Sequence, residues 1–216
     1  VYLQRFNITM SLIGIIGTIA MIPFVLKIFL GMLSDRVNLF NLGHRKPYIV
    51  IGLLIQMICL FIVPTIQPDR QFWLFAAIAF LLQTGMALYD TCTDGLALDT
   101  TPKEEEGIVQ GFMVGGRALG VIMVGLIGLI ANNISWQMAF YSLILLTFLP
   151  LPLIFLSGKE SARSSENRFE WKAFAAFGKR SIISLGILGA LYSLIINGAN
   201  ELVNPFLTTT YDINIG

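Results

Sequence analysis

Ionisable side chains are scarce in this chain. Asp, Glu, Lys and Arg make up 12% of its 216 residues, 56% are hydrophobic, and the mean hydropathy is +0.77. That shortage excludes an ordinary soluble domain, where about a quarter of residues are charged, and points to a polytopic membrane protein. Cysteine is nearly absent as well. Cys59 and Cys92 show neither Cys-x-x-Cys nor metal-ligand spacing, so they read as buried free thiols. The single histidine, His44, lies among loop cations and reads as a solvated side chain, not a metal ligand. A net charge of +1 with no basic stripe excludes nucleic acid as a partner. No nucleophile, metal cluster or nucleotide-binding loop is present, so neither an enzyme nor a cofactor is expected.

What the chain does have is long apolar runs, at roughly 9–33, 47–66, 72–98, 107–131, 135–157 and 181–204, each long enough to cross a bilayer. The expected fold is an all-α transmembrane bundle. Pro23 in the first run and Pro150 and Pro152 in the fifth predict kinks. Thr101-Pro102-Lys103-Glu104 reads as an N-cap and capping box opening the fourth helix. Along that helix Gly107, Gly111 and Gly115 repeat every four residues, the spacing that lets helix backbones approach closely.

Loop charge sets an orientation. Arg36, Arg45 and Lys46 in 34–46, Lys103 in 99–106 and six cations in 158–180 lie on one side, against Arg5 and Arg70 on the other. The three richer loops are then cytoplasmic and the membrane is the plasma (inner) membrane. Asn7-Ile8-Thr9 and Asn133-Ile134-Ser135 match the glycosylation pattern by chance, being too close to the membrane. Residues 158–180 mix Phe169, Trp171, Phe174 and Phe177 with cations, which fits an interfacial helix in a linker. The domain reading is therefore a bundle over 1–157, a linker over 158–180 and the first helix of a second bundle over 181–216. Residue 1 is Val, the opening residues form no signal peptide, and the tail after Pro205 carries no closing element, so the chain reads as a piece of a longer protein.

The few intramembrane charges are unevenly spread. The second and fifth runs have none, whereas the first, third, fourth and sixth hold Lys27, Asp90 with Asp94, Arg117 and Glu201. Such groups are costly in hydrocarbon and mark functional paths by default. Counting from the nearest loop, Lys27, Asp90 and Arg117 stand about 12 to 15 Å deep at 1.5 Å per residue, in one layer. Gln83, Ala87, Asp90 and Asp94 share a helix face. Two carboxylates one turn apart repel, and one ionised with one protonatable aspartate is the arrangement a proton-coupled carrier needs. A permanent ion pair that only fixes helix register is the competing explanation. Ser193, Asn197, Asn200 with Glu201, and Asn204 form a second polar stripe on the last run.

The loop after the first run reads Gly31-Met32-Leu33-Ser34-Asp35-Arg36-Val37, then five residues, then Gly43-His44-Arg45-Lys46-Pro47. This resembles the major facilitator superfamily, whose signature between its second and third helices runs Gly-x-Leu-x-Asp-Arg followed by a glycine and paired cations. Asn38 to Leu42 form an insertion relative to the compact signature. The resemblance implies that the six runs are helices two to seven of an expected twelve, with the two charge-free runs in the outer supporting places. Asp90-x-x-x-Asp94-Gly95-Leu96-Ala97-Leu98, Gln110 and Gly116-Arg117-Ala118-Leu119-Gly120 are similar to a branch containing folate and biopterin carriers, acetyl-CoA transporters and muropeptide permeases, with a pigment-assembly group as a further relative.

The expected function is secondary active transport of a small organic solute by alternating access within the lipid bilayer, coupled to a proton or to sodium. Asp90 and Asp94 would handle the ion. Arg117 and Lys27 would neutralise them or hold an anionic solute, with Gln83, Asn197, Asn200 and Glu201 completing the site. Gly31, Asp35, Arg36, Arg45 and Lys46 would form an inside latch. The alternative is a non-transporting membrane scaffold or pigment-assembly protein of the same fold.

Overall fold

In the first apolar run Pro23 deprives the helix of one N–H and crowds the carbonyl a turn earlier. In the computed structural model the run accordingly splits into α1 (Met10–Val25) and α2 (Lys27–Arg36), with Leu26 off helical geometry at ψ 3° between them. The structure describes residues 2–39, 43–156, 160 and 178–210, without the side chains of 196, 197 and 199–210. The other helices are α3 (Lys46–Ile62), α4 (Phe72–Thr100), α5 (Glu106–Asn133), α6 (Trp136–Phe148), α7 (Pro150–Leu156) and α8 (Arg180–Thr210). The break between α6 and α7 falls at Leu149, beside the predicted Pro150 kink. The described residues form five helical spans long and apolar enough to cross a membrane, and the sixth run corresponds to α8. No strand occurs among them.

Two compact units result, Tyr2–Asn167 and Arg168–Gly216, the second also taking in Val1. In the first, α4 is the central post. It packs against α3 most extensively and also against α1 and α2, while α6 bridges α3 and α5. The α3–α4 crossing is close because glycines meet there. A Cβ on Gly52 would stand 2.6 Å from the Gly85 carbonyl oxygen, and one on Gly85 would stand 2.7 Å from the Gly52 carbonyl oxygen. Tyr48, Ile49, Leu53, Leu88, Cys92 and Leu151 build the core on one side of this crossing, and Ile16, Val63, Ile66, Phe75 and Ala76 build it on the other. Both cysteines are buried and free. Large apolar side chains such as Phe112, Val121 and Leu156 are more than 70% exposed, as a helix whose solvent is lipid requires.

Two expectations about α5 need correction. Thr101 and Glu104 form no capping box: a short 3₁₀ turn over Lys103–Glu105 intervenes, and neither it nor α5 has a side-chain cap. The glycine stripe at Gly107, Gly111 and Gly115 also makes no close approach, because nothing among the described residues lies within 4 Å of a Cβ built there. Helix α5 instead packs on α6, its buried residue being Ala131 near the far end. Ser135, suspected only of a chance glycosylation match, caps α6 by accepting the Met138 N–H at 3.1 Å.

Candidate functional site

The break at Leu26 places Lys27 at the head of α2, against the face of α4. Its ammonium donates to Asp90 Oδ2 at 2.5 Å and to Asp94 Oδ2 at 3.5 Å. From α5, Arg117 Nη2 stands 3.7 Å from Asp90 Oδ1 and 3.8 Å from Asp94 Oδ1. Three helices thus contribute two cations and two carboxylates to one cluster, with no formal charge left over. The pairing is uneven. Lys27, Asp90 and Asp94 are a quarter to a third exposed and hydrogen-bonded, whereas Arg117 is 64% exposed and held only at long range. A proton placed on either aspartate would leave one cation charge unmatched, which an anion or a moving helix could then satisfy. Gln83, on the same face two turns away, is half-buried.

A second charge cluster lies at the α2–α3 loop, around Arg45. Its guanidinium reaches Asp35 Oδ1 at 2.7 Å, donates to Ser34 Oγ at 2.7 Å, and donates through Nε to Asp99 Oδ2 at 3.3 Å. Ser34 passes the chain on, donating to the Gly31 carbonyl at 2.8 Å. His44 Nδ1 donates to the Ser34 carbonyl at 3.3 Å, so this histidine is tied into the loop and is not simply solvated. The Tyr48 hydroxyl donates to the Val37 carbonyl at 3.1 Å, satisfying an end of α2. Gly31 permits α2 to lie on α4, since a Cβ there would press on Thr91 at 3.1 Å. Arg36 is exposed and Lys46 half-buried.

Three members of this second cluster escaped the sequence reading. Asp99 had been placed in the loop, but α4 continues to Thr100 and carries it on the helix. Gly95 lies one turn earlier, and a Cβ there would stand 2.6 Å from Arg45 Cζ. The i, i+4 spacing of Gly95 and Asp99 was the available signal. Ser34 occupies an unspecified position of the loop signature and gave none. The side chains of Asn197, Asn200, Glu201 and Asn204 and the predicted interfacial helix lie outside the described residues. Among the described residues no group of three candidate metal ligands occurs.

At the opposite end of the bundle Tyr2 packs on Phe6, Phe75, Trp136 and Phe140, and Arg5 stands 6.0 Å from the Trp136 ring centre. Burial raises the Tyr2 pKa above its usual value, against an opposing pull from Arg5, which keeps the hydroxyl neutral.

A kinked, multi-span helical bundle with ion pairs joining three of its helices defines a polytopic integral membrane protein. The model of the Major Facilitator Superfamily matches residues 1–215, and the chain belongs to that family. It is 25% identical over 231 residues to a Rickettsia conorii protein named as transporter AmpG 1, covering 95% of this chain and 55% of the relative. The Rickettsia bellii protein of the same name is 22% identical, again over 95% of this chain and 55% of the relative. A protein of Arabidopsis thaliana named as folate-biopterin transporter 7 is 27% identical, over 59% of this chain and 30% of its own length. The chain spans about half the length of these two Rickettsia relatives. No solved structure matches it.

Proposed function

We propose that the protein is part of a secondary transporter that moves a small organic solute by alternating access, coupled to a proton. The observation that carries this reading is the four-charge cluster of Lys27, Asp90, Asp94 and Arg117, gathered mid-span from three helices. Membership of the Major Facilitator Superfamily and relatives named as transporters support it. A permanent pair that fixes helix register needs close, hydrogen-bonded geometry; in this cluster Arg117 is mostly exposed and stands 3.7 to 3.8 Å from the two carboxylates. Asp94 is the more loosely paired carboxylate, so protonating it costs the least hydrogen bonding. Arg117 is then the cation left to receive an anionic group of the solute. Asn197, Asn200 and Glu201 are candidate ion- or solute-binding residues of α8, which is the first helix of a second bundle, and 158–180 is the linker. Arg45, Asp35 and Gly31, with Arg36 and Lys46, work as a latch on the cytoplasmic side.

The test is flux in liposomes holding the full-length protein, with a panel of organic solutes that includes folate and biopterin. An imposed pH gradient should drive accumulation, and Asp94→Asn should abolish it while leaving exchange of the solute down its own gradient. Gradient-driven accumulation that survives in both Asp90→Asn and Asp94→Asn would overturn the coupling assignment.

A further inference from the structure

Among the described residues, the end of the bundle opposite Arg45 holds an exposed cation, Arg5, that belongs to none of the ion pairs. What surrounds it is aromatic. Its guanidinium lies over the Trp136 ring, which packs on Tyr2 with ring centres 5.2 Å apart. Tyr2, Arg5, Phe6 and Trp136 join Pro64 and Gln137 around a cleft of about 320 Å³. Sites for whole organic molecules run from about 300 to 1,000 Å³, so this one suits a small polar group better than a large solute. Its lining supplies one positive charge, a hydroxyl on Tyr2 and an amide on Gln137, with rings for walls. Those are the donors a phosphate takes.

The surface leading away from the cleft is apolar. Pro64 follows α3 and Gln137 opens α6, two helices that pack on each other and come from the two apolar runs without an ionisable residue. On α3, Leu54, Ile58 and Phe61 are exposed at i, i+4 and i+7; on α6, Tyr141 and Leu145 follow Gln137 at i+4 and i+8 and are exposed too. The Phe61 and Tyr141 rings stack with centres 5.9 Å apart, joining the two stripes into one strip. From Pro64 back to Leu54 the strip is about 15 Å long at 1.5 Å per residue, one leaflet's half of a hydrocarbon core about 30 Å thick. A cationic cleft at the head of an apolar strip one leaflet deep has the layout of a phospholipid. We propose that Arg5, Tyr2, Trp136 and Gln137 hold the phosphate headgroup of one phospholipid of net negative charge, its acyl chains lying along Phe61, Ile58, Tyr141 and Leu145. The unmatched guanidinium sets the preference, since a zwitterionic head brings a cation of its own. A general belt of interfacial aromatics would anchor the bundle without choosing among headgroups.

The experiment is native mass spectrometry of the full-length protein, released from detergent holding equal amounts of phosphatidylglycerol and phosphatidylcholine. One phosphatidylglycerol should stay bound in preference to phosphatidylcholine. Arg5→Gln should weaken phosphatidylglycerol retention about fivefold, the worth of one cation near a membrane surface, and leave phosphatidylcholine unchanged. Arg5→Lys should keep most of the preference, and Phe61→Gln should weaken both lipids alike by wetting the strip. Arg70→Gln removes an exposed cation from the α3–α4 connection, outside the cleft, and should change neither lipid. Glycerol 3-phosphate, a head without chains, should not displace the lipid. Equal retention of the two lipids by the parent, an unchanged preference in Arg5→Gln, or an equal loss in Arg70→Gln would overturn the proposal. Displacement by glycerol 3-phosphate would overturn it in favour of a soluble phosphate.

Discussion

Arg45 and Lys27 are each a cation set between two carboxylates, yet Arg45 is 7% exposed and Lys27 31%. The residue types match that difference. A guanidinium presents a planar fork of donors, which lets Arg45 bond Ser34, Asp35 and Asp99 at once from one fixed position. An ammonium on a flexible stem is a point charge, and Lys27 shares it unequally between Asp90 and Asp94. One cluster is built to stay satisfied until a whole helix moves; the other can exchange partners in place. Both hang on α4, with Asp90 and Asp94 in one and Asp99 in the other, so a shift of that helix acts on the two together.

The comparison can be broken most directly at Arg45. Arg45→Met would remove the buried cation that Asp35 and Asp99 share. A loss of about 2 to 4 kcal/mol is expected, the range for breaking a buried pair from one side reduced for the partial exposure of Asp99. Thermal unfolding in detergent would show it, and an unchanged midpoint would mean that this cluster contributes nothing to the fold.

Next comes Gly95→Ala, whose methyl would displace the Arg45 guanidinium rather than backbone. A flexible side chain can yield, so the cost is about 1 to 2 kcal/mol. In combination with Arg45→Met the penalty should vanish, which a double-mutant cycle would reveal.

Lys27→Met sharpens the contrast from the other side. With its partners partly open to solvent, the stability loss should be about 1 kcal/mol, while gradient-driven uptake collapses. Adding Asp94→Asn should return stability close to that of the parent without restoring uptake, because charges are then removed in pairs. The smallest effect belongs to Arg117→Gln. At 64% exposure and 3.7 Å or more from its partners, its loss should change stability by less than about 0.5 kcal/mol. Its influence should be confined to the apparent affinity for the solute, measured as the half-saturating concentration.

Periodicity served some of these residues and not others. Lys27, Asp90 and Arg117 could be set at one depth because helix rise is constant and the loops fix where counting begins. Their depth, however, says nothing about which way each helix is turned, so the long Arg117 contacts and the short Lys27 contact were not readable. The glycines show the same limit. Gly107, Gly111 and Gly115 have the spacing for close packing and meet nothing among the described residues, whereas Gly52 and Gly85, on different helices and without a repeat, form the tight crossing. Asp99 was lost to a boundary, since the apolar run stops at residue 98 while α4 continues to Thr100. Glu160, whose carboxylate accepts the Arg45 N–H at 3.0 Å at the start of α3, could not be found at all, because nothing local links it to a residue 115 positions earlier.

Composition and spacing alone determined that this chain crosses a membrane as kinked helices, which of those helices carry charge, and which superfamily its loop signature resembles. These are properties of one segment at a time, set by transfer from water to lipid and by the geometry of a single helix. Which cation meets which carboxylate, and how tightly, was decided only when α2, α4 and α5 came together, because ion pairing depends on distances between segments that no local rule contains.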